Sequence, residues 1–423
     1  MTPRAHSFDL PATLRDAAWP ATNEPGYAAQ TSWLTGADAC QTIIADWRDL
    51  ADNASEPNPF YEPHMLLPAM THLPGGSKVH VIAIHASPHS NRLIGLVPVK
   101  ITNTYLGLPV RSAQSWKHIH CFLATPLLRK GHEQDALRGI IAALRARHIT
   151  VMRFAHSAAD GAFAAALATI LNTKNHAQAE TRRFERAILQ STTSADDYIA
   201  AAISRKKRKE YGRITRRLAE EGSVTFEAVE VTDPAAVEGA ALEFLALEQS
   251  GWKGRNGTAI AQQPAEQRFF LDACRAAAAR KTLNTLTLRV NNTAVASIIN
   301  FTGTAHGTAP DAGAGLFSFK IAYDEGFARY SPGVLLELEL TARTLADPSL
   351  AFADSCANPD HPMIDHLWRE RRVMHDINIA VSPATPAWLL GATRLLEACL
   401  ATAKTKARAM LAFAATALRR RNS

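Results

Sequence analysis

Two rhythms of apolar and polar positions run through this chain, one of period two and one of about 3.6 residues, and together they lay out its elements. Ile43, Ile44 and Trp47 share one side of a helical pattern over 38–51, and a second helix is predicted over 63–70 after Asn58-Pro59-Phe60. Runs at 79–85 and 93–101 read as strands joined by the turn-rich SPHSN segment. A helix at 136–147, a strand at 149–154, a helix at 161–171 and a closing strand at 187–190 follow. A second series begins with strands at 285–290 and 294–301, with Asn291-Asn292 as a tight hairpin turn. It continues with a strand at 316–323, a helix over 331–345, a strand at 350–354 and a helix at 363–371. Strands and helices mixed in this way predict an α/β (α+β) layer structure in which one order of elements occurs twice.

The stretch 315–345, GLFSFKIAYDEGFARYSPGVLLELELTARTL, is the most informative. Its strand crosses a charged loop at 324–330 and enters a helix at Ser331-Pro332-Gly333. Ser331 suits an N-cap, and proline at the first helical position loses no intrahelical bond. A strand feeding a helix N-terminus predicts outward-pointing N–H groups that suit a phosphate. An ordinary well-capped helix accounts for the same spacing.

Composition narrows the class. The 423 residues suffice for two or three domains, and 47% hydrophobic with 20% charged residues describe a soluble globular chain. Five cysteines form no CxxC pair, which suits a reducing compartment. The opening MTPRAHSFDLPATLRDAAW lacks the apolar core of a secretory signal, and no run approaches a membrane span. The net charge of +7 favours an anionic partner. Part of it sits in SRKKRKEYGRITRR (204–217), eight basic residues against one acidic. That helix either contacts phosphate, nucleic acid or an acidic glycan, or turns Ile203, Tyr211, Ile214 and Leu218 to the core with its charges in solvent. In the tail, Leu389, Leu396, Leu400, Ala407, Leu411, Ala414 and Leu418 fall in one helical stripe among Arg394, Lys404, Lys406, Arg408 and Arg419-Arg420-Arg421. Docking on the protein body fits this alanine-rich stripe better than a membrane surface.

NPFYEPHMLLPAM (58–70), FLATPLL (122–128), LEQSGWKGRNGTAI (247–260), the stretch 315–345 and FADSCANPDHPMIDHLW (352–368) form an ordered set. In order and spacing the set resembles the GNAT-like acyltransferases of the FemAB/CelD type, associated with bacterial cellulose and exopolysaccharide synthesis. The resemblance implies two tandem GNAT-like (acyl-CoA N-acyltransferase) lobes with mixed central sheets, plus a C-terminal amphipathic helix. The expected division is a loosely attached arm at 1–35, an N-terminal lobe at 36–194 and a basic connecting helix at 195–222. A C-terminal lobe at 223–380 would carry the acyl-donor site, followed by the basic tail at 384–421. The implied activity is N-acyl transfer, acetyl transfer above all, from acetyl-CoA or another acyl-CoA to an amino group on a sugar or exopolysaccharide precursor. The implied setting is cytoplasmic, peripheral to polysaccharide-synthesis machinery at the inner membrane surface. The Q/R-x-x-G-x-G/A loop of simple GNAT enzymes is absent, so the CoA donor rests on resemblance. Two alternatives stay open: a non-catalytic protein on the same fold that binds an anionic regulator or polymer, and a FemAB-like transferase using aminoacyl-tRNA. Only the latter involves nucleic acid.

Acyl transfer to an amine needs a proton acceptor, donors for the thioester oxygen and an anchor for the donor's phosphates. Glu248, near a helix end, and Asp354, at a strand end, are the candidate catalytic carboxylates, with Asp324 and Asp365 behind them. For each, a surface or structural carboxylate is the commoner reading. Lys320, Arg329, Tyr330, Ser331, Pro332 and Gly333 are the candidate donor-binding residues, Arg329 as the leading phosphate contact. Trp252, Lys253, Arg255, Tyr323, His361 and Asp365 are the candidate substrate contacts. A metal site is not expected. HIHC at 118–121 has no second cluster, there is no HExxH, and His361 and His366 lie five apart across a proline. No GxSxG elbow supports a serine nucleophile.

Overall fold

Thirteen strands make one continuous mixed sheet in the computed structural model, which describes residues 30–87, 90–303 and 313–421. The strands are β1 (Thr31–Thr35), β2 (His80–His85), β3 (Leu93–Thr102), β4 (Ser112–Ser115), β5 (Leu127–Leu128), β6 (Val151–Ala158) and β7 (Gln178–Leu189). The second half supplies β8 (Val224–Glu227), β9 (Leu283–Val290), β10 (Thr293–Gly303), β11 (Ala314–Tyr323), β12 (Leu350–Asp354) and β13 (Glu370–Ala380). Their order across the sheet is β1-β2-β3-β4-β6-β13-β7-β12-β11-β10-β9-β8, with β5 beside β3.

The repeated order of elements is real. In the first half β2, β3 and β4 pair antiparallel, α4 (Glu133–Ala146) crosses over, and β6 returns parallel to β4. In the second half β9, β10 and β11 pair antiparallel, α11 (Pro332–Ala346) crosses over, and β12 returns parallel to β11. A parallel return needs a crossover of this length, which is why the helix falls there in both halves. The hairpin at Asn291-Asn292 forms as expected, both residues having positive φ (48° and 64°) as a two-residue turn requires.

Several expectations need correction. Residues 31–35, assigned to the arm, form the edge strand β1 against β2, while 1–29 lie outside the described residues. The helix expected over 38–51 is two, α1 (Gly36–Gln41) and α2 (Ile44–Asp52). The helix expected at 363–371 is a short turn at Ile364–His366 followed by β13, which crosses into the first half and lies between β6 and β7. The strand expected at 187–190 is the buried tip of the twelve-residue β7. In β7 and the start of β13, clustered charges mask the apolar alternation. Partners on both sides, rather than local propensity, make them strands.

Helices cover both faces. α3 (Pro63–His72), α8 (Pro234–Ser250) and α10 (Pro264–Ala279) pack with Phe244, Phe269, Phe270, Phe301, Phe317 and Phe319 into the larger core. On the other face of the second half, Leu335, Leu336 and Leu340 of α11 meet Leu316, Ile298 and Trp368. The connecting segment is α6 (Ala195–Ala202) and α7 (Arg205–Glu220), in which Ile203, Ile214 and Leu218 are buried and Tyr211 packs beside them. The basic residues of 204–217 are therefore a solvated face on a docked helix. The tail forms α12 (Ala387–Arg421), anchored by buried Leu389 and Leu390 and by Glu397, which pairs with Arg153 and accepts from Tyr105. Leu396 and Leu400 are half-buried and Ala407 is exposed, while Leu411, Ala414 and Leu418 have side chains outside the described residues. No helix among the described residues is long and apolar enough to cross a membrane.

Candidate active site

β11 and β12 pair from Ala314↔Leu350 to Phe317↔Asp354, where β12 ends. β11 runs on to Tyr323, so from Ser318 onward it has β10 on one side and a gap on the other. A cavity of about 330 Å³ fills this gap, lined among others by Ser318, Lys320, Lys253, Cys356, His361 and Glu337.

A β-bulge fixes which side chains reach it. Ile299 faces Lys320 while Asn300 faces Ser318, which leaves Phe319 as the extra residue. Beyond the bulge the alternation shifts by one. Leu316 and Ile321 belong to the core under α11, while Phe319 and Ala322 belong to the core under α8 and α10. Lys320 accordingly lies over the rings of Phe122 and Phe319, each 5.8 Å away. Burial, then the like charge of Lys253, lowers the Lys320 ammonium, with Glu248 and Glu266 opposing. The cavity thus has cations on one wall and α11 on the other.

Glu337 is the residue the sequence reading missed. It sits one helical turn beyond Gly333 on the same face of α11, is 4% exposed, and its Oε2 has no hydrogen-bond partner. Burial pushes its carboxyl up to about 8. Ser318 Oγ, across the cavity, is also buried without a partner. The signal was available: a lone glutamate among Leu335, Leu336 and Leu340 interrupts an otherwise apolar face.

The two carboxylates singled out from sequence are held in structural pairs. Glu248 Oε1 accepts from Lys253 Nζ at 2.6 Å and its Oε2 from the Ile260 amide at 2.8 Å, tying the loop after α8 to the helix. Asp354 is fully buried and accepts from Arg186 at 2.6 Å, Arg372 at 3.1 Å and the Cys356 amide at 2.9 Å. Burial acts to raise the Asp354 carboxyl, but the two guanidiniums and that amide hold it below its usual range. Burial and the Asp354 charge push the Cys356 thiol well up, away from the thiolate form.

The other candidates divide. Lys320, Lys253 and His361 line the cavity, His361 with Nδ1 accepting from the Met363 and Ile364 amides. Gly333 itself does not line the cavity; a Cβ added there would meet Ile321, Met363 and Tyr323 at 3.7–3.9 Å, ordinary contact, and the first two of these line it. Ser331 is no side-chain cap: it takes a left-handed conformation (φ 46°, ψ 51°), and its carbonyl accepts from Val334 and Leu335. With Pro332 lacking an N–H, Gly333 keeps the first-turn amide without a backbone acceptor. Arg329 turns to Glu221, paired at 2.9 Å and exposed, and Tyr330 donates to the same carboxylate. Trp252 is half exposed, its amide and Arg255 both bonded to Glu325. Tyr323 is exposed at the end of β11. Asp324 Oδ1 accepts from the Gly326 amide, and Asp365 lines a neighbouring cleft with His361, Glu185 and Asp360.

The equivalent gap in the first half is closed. Beyond Gln114↔Arg153, the Ala155 and Ala158 amides donate to the hydroxyls of Ser115 and Thr125, and the Ala124 amide donates to the His156 carbonyl. Residues 115–125 fill the space that the cavity occupies in the second half. Titration calorimetry is therefore expected to give one acyl donor per chain, and two equivalent sites would contradict this geometry.

A family model described as an acetyltransferase (GNAT) domain matches residues 205–356. The fold is similar to FemX, at 7% identity and TM-score 0.51 over 79% of this chain and 95% of that one. It is also similar to the C-terminal domain (DUF2156) of a protein assigned as a lysylphosphatidylglycerol synthetase from Agrobacterium fabrum, at 12% identity and TM-score 0.51 over 85% and 96% of the two chains. At these identities the likenesses establish the fold alone. No curated protein matches the sequence.

Proposed function

We propose that the chain is a GNAT-like acyltransferase of the FemAB type that moves an acyl group from an acyl-CoA onto an amine of an amino sugar or polysaccharide precursor; the GNAT-domain match over 205–356 and the FemX-like fold support this reading. The gap between β11 and β12 carries this reading, because it sets a cavity beside the start of α11 with one buried, unpartnered carboxylate facing it. In this scheme the Gly333 amide and the start of α11 meet the donor's phosphates. The backbone of β11 beyond Phe317, free of a strand partner on that side, supplies donors to the thioester oxygen.

Glu337 is the proposed general base. Its Oε2 takes a proton from the acceptor ammonium, and the freed amine nitrogen attacks the thioester carbonyl. The C–N bond forms and the C–S bond breaks. The proton shed by the new amide nitrogen goes to the departing thiolate, and the proton on Glu337 returns to solvent. Lys320 lends the cavity positive charge, Lys253 being paired with Glu248, and that charge favours an anionic donor.

Purified protein with acetyl-CoA and glucosamine-type acceptors is expected to release free thiol in proportion to acceptor. Thiol release with none of a panel of acyl-CoAs and amines, together with salt-dependent binding of aminoacyl-tRNA, would move the donor assignment to aminoacyl-tRNA.

A further inference from the structure

A second cavity of about 490 Å³, which shares no lining residue with the first, lies between α2 and α3 of the first half and α10 of the second. Its inner wall includes His64, 3% exposed, with neither ring nitrogen hydrogen-bonded. The nearest carboxylate, on Glu62, is 3.6 Å from Nδ1. A neutral imidazole has one donor and one acceptor, and burying both without partners is costly.

The charges facing the cavity are Arg48 from α2, His64 and His72 from α3, and Asp272, Arg275 and Arg280 from α10. Asp272 is already engaged by His72 at 2.7 Å and by Arg275 at 2.8 Å, and Arg275 is further held by Glu238. Arg280 bonds Asp52 through one nitrogen. Arg48 has no hydrogen-bond or ion-pair partner among the described residues. Burial, then Arg280 and Arg48, drives the His64 imidazole down to about 3, so both guanidinium fields converge on its ring. The result is a roomy cavity whose lining carries three guanidiniums and one carboxylate, with an unsatisfied imidazole at its inner end.

We propose that this cavity binds the oxyanion of a small molecule, a phosphate or carboxylate group, held by Arg48 and Arg280 and accepting from the His64 N–H. Such a ligand bridges the two halves. It also fixes α10, whose Phe269 and Phe270 pack on Phe319 beside Lys320. The proposal is independent of the acyl-transfer reading.

The test uses the full chain with inorganic phosphate and with succinate, each against sodium chloride at equal ionic strength. A saturable rise in Tm is expected with at least one probe, and which probe binds tells phosphate from carboxylate chemistry. The exposed Arg48→Glu is expected to fold normally and to weaken that binding by about tenfold or more, through loss of a charge-assisted contact and gain of a repulsive one. The His64 ring nitrogen resonances are expected to shift along the same saturation curve. The proposal is overturned by no saturable effect beyond chloride, by equal binding in Arg48→Glu (an anion seated elsewhere), or by His64 resonances that stay still, which would mean water alone occupies the cavity.

Discussion

Glu337→Gln is expected to lower kcat by about 10²- to 10⁴-fold while leaving donor affinity and the fold intact. The amide keeps the shape of the side chain and removes its capacity to take a proton. Because burial holds the Glu337 carboxyl at about 8 rather than 4.5, the wild-type rate should rise with pH through a limb near 8, where the acid becomes the base. The variant should lack that limb. Stability supplies an independent readout. A carboxyl raised in the folded state contributes fully below its unfolded value of 4.5 and loses that contribution as pH rises through about 8. The wild type should therefore lose stability between these limits while Glu337→Gln does not, so the variant should melt higher than wild type at pH 9. Unchanged turnover with an unchanged pH profile would remove Glu337 from the mechanism and leave the cavity as a binding site only.

Asp354→Asn should act in the opposite way, on stability rather than on chemistry. Arg186 and Arg372 both depend on this carboxylate, and Arg186 and Asp354 are almost wholly buried. Removing one partner of a buried pair typically costs about 3–5 kcal/mol, because the charges left behind have no water. Here the carboxyl is held below its usual range. Its contribution is therefore present above the unfolded carboxylate value and is lost as pH falls through the lower folded one. The gap in Tm between wild type and variant should be widest near neutral pH and shrink in acid. The turnover of the folded fraction should match wild type. A folded variant without activity would restore Asp354 as a catalytic group.

Much of the fold was legible because it rests on local patterns. The hairpin at Asn291-Asn292, the strand–helix–strand over 314–354 and the apolar stripe of the connecting helix are written in residues close in sequence. β13 was not legible. Its register is set by β6 and β7, more than 180 residues earlier, and its opening Glu370-Arg371-Arg372 reads as the end of a helix until Arg372 is seen paired with Asp354.

The site divides along the same line. The sequence by itself determined the doubled order of elements, the proline-led start of α11 and the presence of Lys320, Lys253 and Gly333 in motifs that resemble a transferase. It could not choose among carboxylates, because a carboxylate's role depends on what shares its burial. Lys253 neutralises Glu248 and two arginines saturate Asp354, while Glu337 faces a cavity with an oxygen left free. Tertiary structure alone decided which carboxylate keeps an unpartnered oxygen beside the cavity. The bulge at Phe319 and the early end of β12 open the gap, and only across that gap do residues from β11, α11 and the loop after β12 line one cavity.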